Sequence, residues 1–71
     1  MVGQLLKEKR NELGLTQEEL ASDVGISRTY YADVERGRYN PGLKVLIRLA
    51  KRMNLDLNLL IKNDGNTSES D

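Results

Sequence analysis

The sequence predicts an all-α fold, one compact domain of five short helices. Three observations carry this. Aliphatic residues recur three and four positions apart, the spacing of a helix face, and no segment reads as a strand. Gly14, Gly25 and Gly37 interrupt the helical segments where a left-handed residue commonly ends a helix. With 71 residues, no cysteine and no histidine, the chain has no disulfide and lacks the usual zinc ligand sets. Its stability must come from aliphatic packing, which favours helices over a sheet.

Residues 2–13 carry strong helix formers, and Gly14 stands at the expected C-cap. Thr16, followed three residues later by Glu19, forms a capping box that opens a second helix. Leu20, Ala21 and Val24 supply its inward face, Leu15 is placed to staple onto Leu20, and Gly25 stops it. Ser27 is a good N-cap for a third helix reaching about Arg36, with Gly37 ending it. "RYNPG" reads as a loop, because Pro41 biases Asn40 towards extended backbone. Leu43, Leu46, Ile47, Ala50 and Met53 mark a fourth helix. Asp56 can cap a short fifth helix holding Leu57, Leu59, Leu60 and Ile61. "NDGNTSESD" contains no apolar residue, so a domain over 1–62 and a disordered acidic tail over 63–71 are expected.

No apolar run approaches a membrane span, and the N-terminus lacks the apolar stretch of a secretory signal. A cytoplasmic, nucleoid-associated protein with no membrane partner is the expectation. Formal charge is zero, but its distribution is uneven. Residues 1–55 hold ten basic groups against seven acids, net +3, whereas 56–71 hold Lys62 against four acids, net −3. A mildly basic body with an acidic end permits DNA binding without proving it.

Residues 16–36 carry the sharpest signal. Two short helices joined by about four residues cross steeply, so Ala21 must be small and Gly25 must turn the chain. Laid out at 100° per residue, the third helix puts Ser27, Tyr31, Val34 and Glu35 on one side. Thr29, Ala32, Asp33 and Arg36 fall on the other, with Arg28 and Tyr30 at the edges. That outward side is varied, hydrogen-bonding and free of large apolar groups, as a helix entering the major groove requires.

"LTQEELASDVGISRTYYADVERGR" resembles the Cro- and phage-repressor-type helix–turn–helix proteins of the XRE family. The likeness continues through "NPGLKVLIRLAKRMNL" and so covers roughly residues 2–62. It implies a five-helix repressor-like DNA-binding domain, with helices two and three forming the helix–turn–helix. It also implies double-stranded DNA as partner and a homodimer on a two-fold operator. By position, Arg28, Thr29 and Asp33 match the base-reading residues. Gln17 matches a residue that bonds phosphate or buttresses the recognition helix. Arg38, Tyr39 and Asn40 match the loop that grips the DNA backbone, and Arg10 and Glu35 match an internal ion pair. Three residues depart from the family pattern: Gly42 where a Ser or Thr cap is common, Lys9 where an apolar residue is common, and Tyr31 where Ile or Val is common.

Further assignments follow from chemistry. Tyr31 is expected in the core. Tyr30, at the rim, can pack its ring while its hydroxyl reaches phosphate. Arg36, Lys44 and Arg48 are expected to attract phosphate with little sequence preference. Leu57, Leu59, Leu60 and Ile61 either complete the core or form a dimer seam. No nucleophile–base pair, phosphate loop or evident acid pair is present, so the chain is not expected to be an enzyme, nor to use a cofactor or metal. The leading expectation is a sequence-specific repressor. An antitoxin-type autoregulator or a protein-interaction module on the same fold is the alternative. An anti-repressor or toxin partner stays open.

Overall fold

The structure, a computed structural model, describes residues 2–64. Five helices follow in order: α1 Val2–Glu12, α2 Gln17–Val24, α3 Arg28–Glu35, α4 Leu43–Met53 and α5 Leu57–Asp64. Among the described residues there is no strand. The last helix runs two residues past the expected boundary at 62, and the rest of the expected tail lies outside the described residues.

Local chemistry sets most of the helix ends. Thr16 accepts from the Glu19 amide at 3.0 Å while the Glu19 carboxylate accepts from the Thr16 amide at 2.9 Å. Ser27 accepts from the Tyr30 amide at 3.0 Å, and Asp56 accepts from the Asn58 amide at 2.9 Å. Gly42 offers no side-chain cap to α4. Four helices end in one hydrogen-bond pattern, in which the residue after a left-handed position donates five residues back. The donors are Leu15 to Arg10, Ile26 to Ala21, Arg38 to Asp33 and Leu55 to Ala50. The left-handed positions are Gly14, Gly25, Gly37 and Asn54, with φ between 55° and 82°.

The core joins Val2 and Leu6 of α1, Leu20, Ala21 and Val24 of α2, and Tyr31 and Val34 of α3. Leu46, Leu49, Ala50 and Met53 of α4 and Leu60 of α5 complete it. α1 packs on α3 and α5, while α2 packs on α3 and α4. Two sequence expectations change here. Leu43 is 58% exposed and Leu49 fully buried, because α4 docks along the 46–49–53 side and its first turn overhangs the core. Leu60 is fully buried too, so it completes the monomer core and cannot serve a dimer seam.

α1 meets the end of α3 at Gly3. A Cβ there would lie 2.4 Å from the Glu35 carbonyl oxygen and 2.6 Å from that of Val34. Only a residue without a side chain lets the two backbones approach this closely. Arginines of α4 hold the far end of α2: Arg52 Nε lies 2.7 Å from Asp23 Oδ2, and Arg48 Nη1 donates to the Val24 carbonyl at 3.4 Å. Arg48, expected to attract phosphate, therefore caps the last turn of α2.

Candidate nucleic-acid interface

The orientation of α3 is fixed from behind. Tyr31 and Val34 are fully buried, and the Glu35 side chain is only 4% exposed. Arg10 grips that carboxylate with two nitrogens, Nε to Oε2 at 2.7 Å and Nη2 to Oε1 at 3.3 Å. Its third nitrogen, Nη1, donates to the Leu15 carbonyl at 2.7 Å, tying in the turn before α2. Gln17, the first residue of α2, donates from Nε2 to Glu35 Oε1 at 3.0 Å. Of the two roles open to Gln17, buttressing is the one this geometry displays. One carboxylate thus draws together α1, α2 and α3.

The electrostatics follow. Burial alone would raise the Glu35 pKa, but the hydrogen bonds that converge on the carboxylate, led by Arg10, hold it below its ordinary value. The same bond raises the Arg10 pKa against the opposing effect of burial. The Tyr31 hydroxyl is buried beside this pair without a hydrogen bond of ordinary geometry. Burial pushes its pKa far up, so the phenol stays neutral. Tyr31 is a core residue, as its helix face implied.

With that face held inward, the opposite side of α3 is open. Arg28 and Thr29 are exposed in its first turn, and Arg36 is exposed at its end. Asp33 is different: its side chain is 15% exposed and lies 3.8 Å from Arg36 Nη1. The carboxylate is sheltered, and part of its charge is answered within the protein. Arg38, Tyr39 and Asn40 are exposed in the loop before α4, and Lys44 is exposed in the first turn of α4. Pro41, next to Asn40, is buried.

One arrangement was not legible in the sequence. The ring of Tyr39 stacks on that of Tyr30, centroids 6.0 Å apart and planes at 21°. Tyr30 is half-buried against the core while Tyr39 is 54% exposed. Nothing in the spacing of these residues signals the pairing, since it requires the loop to fold back along α3.

The remaining expected site residues lie on α5. Leu57 packs partly against the core, Leu59 is 46% exposed and Ile61 is half-buried. A shallow groove beside them is lined by Ile47, Ala50, Leu55 and Leu57, with Lys51 and Asn54 at its edge. Among the described residues, no group of acids is placed to hold a metal ion, and no helix is long and apolar enough to cross a membrane.

A buried clamp behind a short exposed helix, reached through a tight glycine turn from a capped helix, defines a helix–turn–helix protein. The chain belongs to the helix–turn–helix family of the XRE type, whose family model, described as Helix-turn-helix, matches residues 6–60. That family comprises DNA-binding transcription regulators, not enzymes. The chain is 52% identical over 59 residues to the ImmF control region 10 kDa protein of Bacillus phage phi105, covering 83% of this chain and 66% of that protein. It is 42% identical over 60 residues to the immunity repressor protein of the same phage, covering 84% of this chain and 42% of that protein. The chain therefore spans less than two-thirds of the length of either relative.

Solved structures agree on the fold. The restriction–modification controller protein C.AhdI from Aeromonas hydrophila superposes with a TM-score of 0.78 at 39% identity, covering 83% of this chain and 89% of that one. SinR, a master regulator for biofilm formation solved in complex with DNA, gives 0.80 at 29% identity, covering 86% and 98%.

Proposed function

We propose that this chain is a sequence-specific repressor that binds double-stranded DNA as a homodimer, placing one α3 in the major groove of each half of a two-fold operator. The observation that carries this is the split character of α3. Its back is clamped by Tyr31, Val34 and the Glu35–Arg10 pair, while its front presents Arg28, Thr29 and Arg36 with no bulky apolar group between them. A rigid helix with a polar, exposed front is what direct readout needs. Half-sites would lie about 34 Å apart along the duplex.

In this reading Arg28 pairs with a guanine edge, and Thr29 contacts a base edge or a thymine methyl. Arg36, Arg38, Asn40 and Lys44 hold the backbone. Gln17, at the start of α2, holds Glu35 and in this reading also meets phosphate. Asp33 orients Arg36 and repels wrong registers more than it reads a base, because its carboxylate is sheltered and paired. The dimer seam falls to Leu57, Leu59 and Ile61 beside the groove of Ile47 and Leu55.

Similarity to the ImmF control region 10 kDa protein and the immunity repressor protein of phage phi105 supports a role as a phage or mobile-element repressor. The likeness to a restriction–modification controller keeps that role in view. A titration of labelled random-sequence duplex at low and moderate salt tests the DNA reading. Binding that weakens steeply with salt is expected. No salt-sensitive binding at micromolar protein overturns it in favour of a protein-interaction module.

A further inference from the structure

Three of the four glycine- or asparagine-ended helices are anchored in the same way, and α3 is not. At α1, α2 and α4 the residue after the left-handed position is Leu15, Ile26 or Leu55, and each packs against the core. An apolar residue there commonly fastens this kind of helix end. At α3 the equivalent residue is Arg38, which is exposed. The usual apolar tie is therefore given up at the one helix end that faces the proposed DNA surface.

Tyr39 supplies a different tie one residue later. Its ring lies 6.0 Å from that of Tyr30 at 21°, a near-parallel arrangement. Tyr30 is a firm platform, since its ring packs on the core and its amide is bound by the Ser27 cap. The Arg38 amide donates to the Asp33 carbonyl at 2.9 Å, so the chain is already directed back along α3 when it reaches Tyr39. Beyond it Pro41 is buried, whereas Gly42 brings no side-chain cap to the start of α4.

We infer that Tyr39 is a positioning residue whose ring, stacked on Tyr30, holds the 36–42 loop at a fixed offset from Arg28 and Thr29. The backbone grip of the loop and the base-reading end of α3 are thereby kept in one register. This inference rests on the DNA reading proposed above. It differs from a direct role in one respect: the ring matters, and the hydroxyl does not.

Affinity for a selected operator duplex, measured for the full chain at two salt concentrations, separates these roles. Tyr39→Ala weakens binding about 3- to 10-fold, the equivalent of one aromatic pair, and Tyr39→Phe recovers most of that loss. Tyr30→Leu weakens binding similarly, and the double variant Tyr30→Leu, Tyr39→Ala is no weaker than the worse single variant. The free protein gives an independent reading: Tyr39 ring-proton shifts move towards exposed values in Tyr30→Leu. Equal losses for Tyr39→Phe and Tyr39→Ala would overturn the inference in favour of a hydroxyl contact. Additive losses, or wild-type binding by Tyr39→Ala, would overturn it too. In those cases the DNA reading survives. Absence of salt-sensitive binding by the wild type removes both.

Discussion

Arg10 and Glu35, 25 residues apart, meet at 2.7 Å in a pair whose side chains are only 11% and 4% exposed. Because the same carboxylate also accepts from Gln17, the orientation of α3 depends on groups in α1 and α2. Arg10→Ala strips Glu35 of its cation and leaves a buried charge with one amide donor. A loss of about 3–5 kcal/mol in unfolding free energy is expected from urea titration. Removing both partners, in Arg10→Ala with Glu35→Ala, should cost less than the sum of the single changes.

The pair also sets an acid dependence. In the folded protein the Glu35 pKa lies below its ordinary value of 4.5. The unfolded chain therefore takes up this proton first as pH falls. The stabilisation is complete above about 4.5 and is lost as pH drops through the lower, folded value. Urea midpoints at pH 7, 5, 4 and 3 should fall across the acid end. The fall should be shallower in Glu35→Gln; an identical slope in that variant would assign the acid sensitivity elsewhere.

Gly3 faces backbone rather than a movable side chain. The Cβ of Gly3→Ala meets two carbonyl oxygens of α3 well inside contact distance. Alanine favours helix by about 1 kcal/mol over glycine, yet overpacking costs about 1–3 kcal/mol. We expect net destabilisation in urea, with α1 pushed away from α3. A more stable variant would refute the close approach.

The unfilled cap of α4 points the other way. Gly42 has φ −69°, nothing lies within 4 Å of an added Cβ, and it makes no side-chain cap bond. Gly42→Ser supplies that bond and restricts the unfolded chain. A gain of about 0.5–1 kcal/mol is expected, read as a raised urea midpoint with an unchanged slope.

Much of this was legible in the sequence, for a physical reason. The Thr16–Glu19 box, the Ser27 cap and the left-handed glycines are local interactions, written within a few residues of where they act. The inward face of α3 follows from helical periodicity, and burial of Tyr31 and Val34 agrees with it. Contacts decided by docking were not legible. Leu43 and Leu49 both continue a three–four stripe, and only the position of α2 and α5 selects Leu49 for the core. The links from Arg48 to Val24 and Arg52 to Asp23 span 24 and 29 residues with no local signature. Gly3 was detectable in principle, since a lone glycine among strong helix formers often marks a close approach.

The central claim is that α3 reads DNA sequence through its exposed first turn while the loop and nearby cations supply general affinity. In-vitro selection of bound duplexes, with the wild type and Arg28→Ala in parallel, tests it most directly. The wild type should enrich a two-fold symmetric site. Arg28→Ala should lose preference at one position in each half-site, at a cost of about 1–3 kcal/mol of discrimination there and less in overall affinity. Enrichment of the same site by both proteins, with the same preference at every position, would contradict the account.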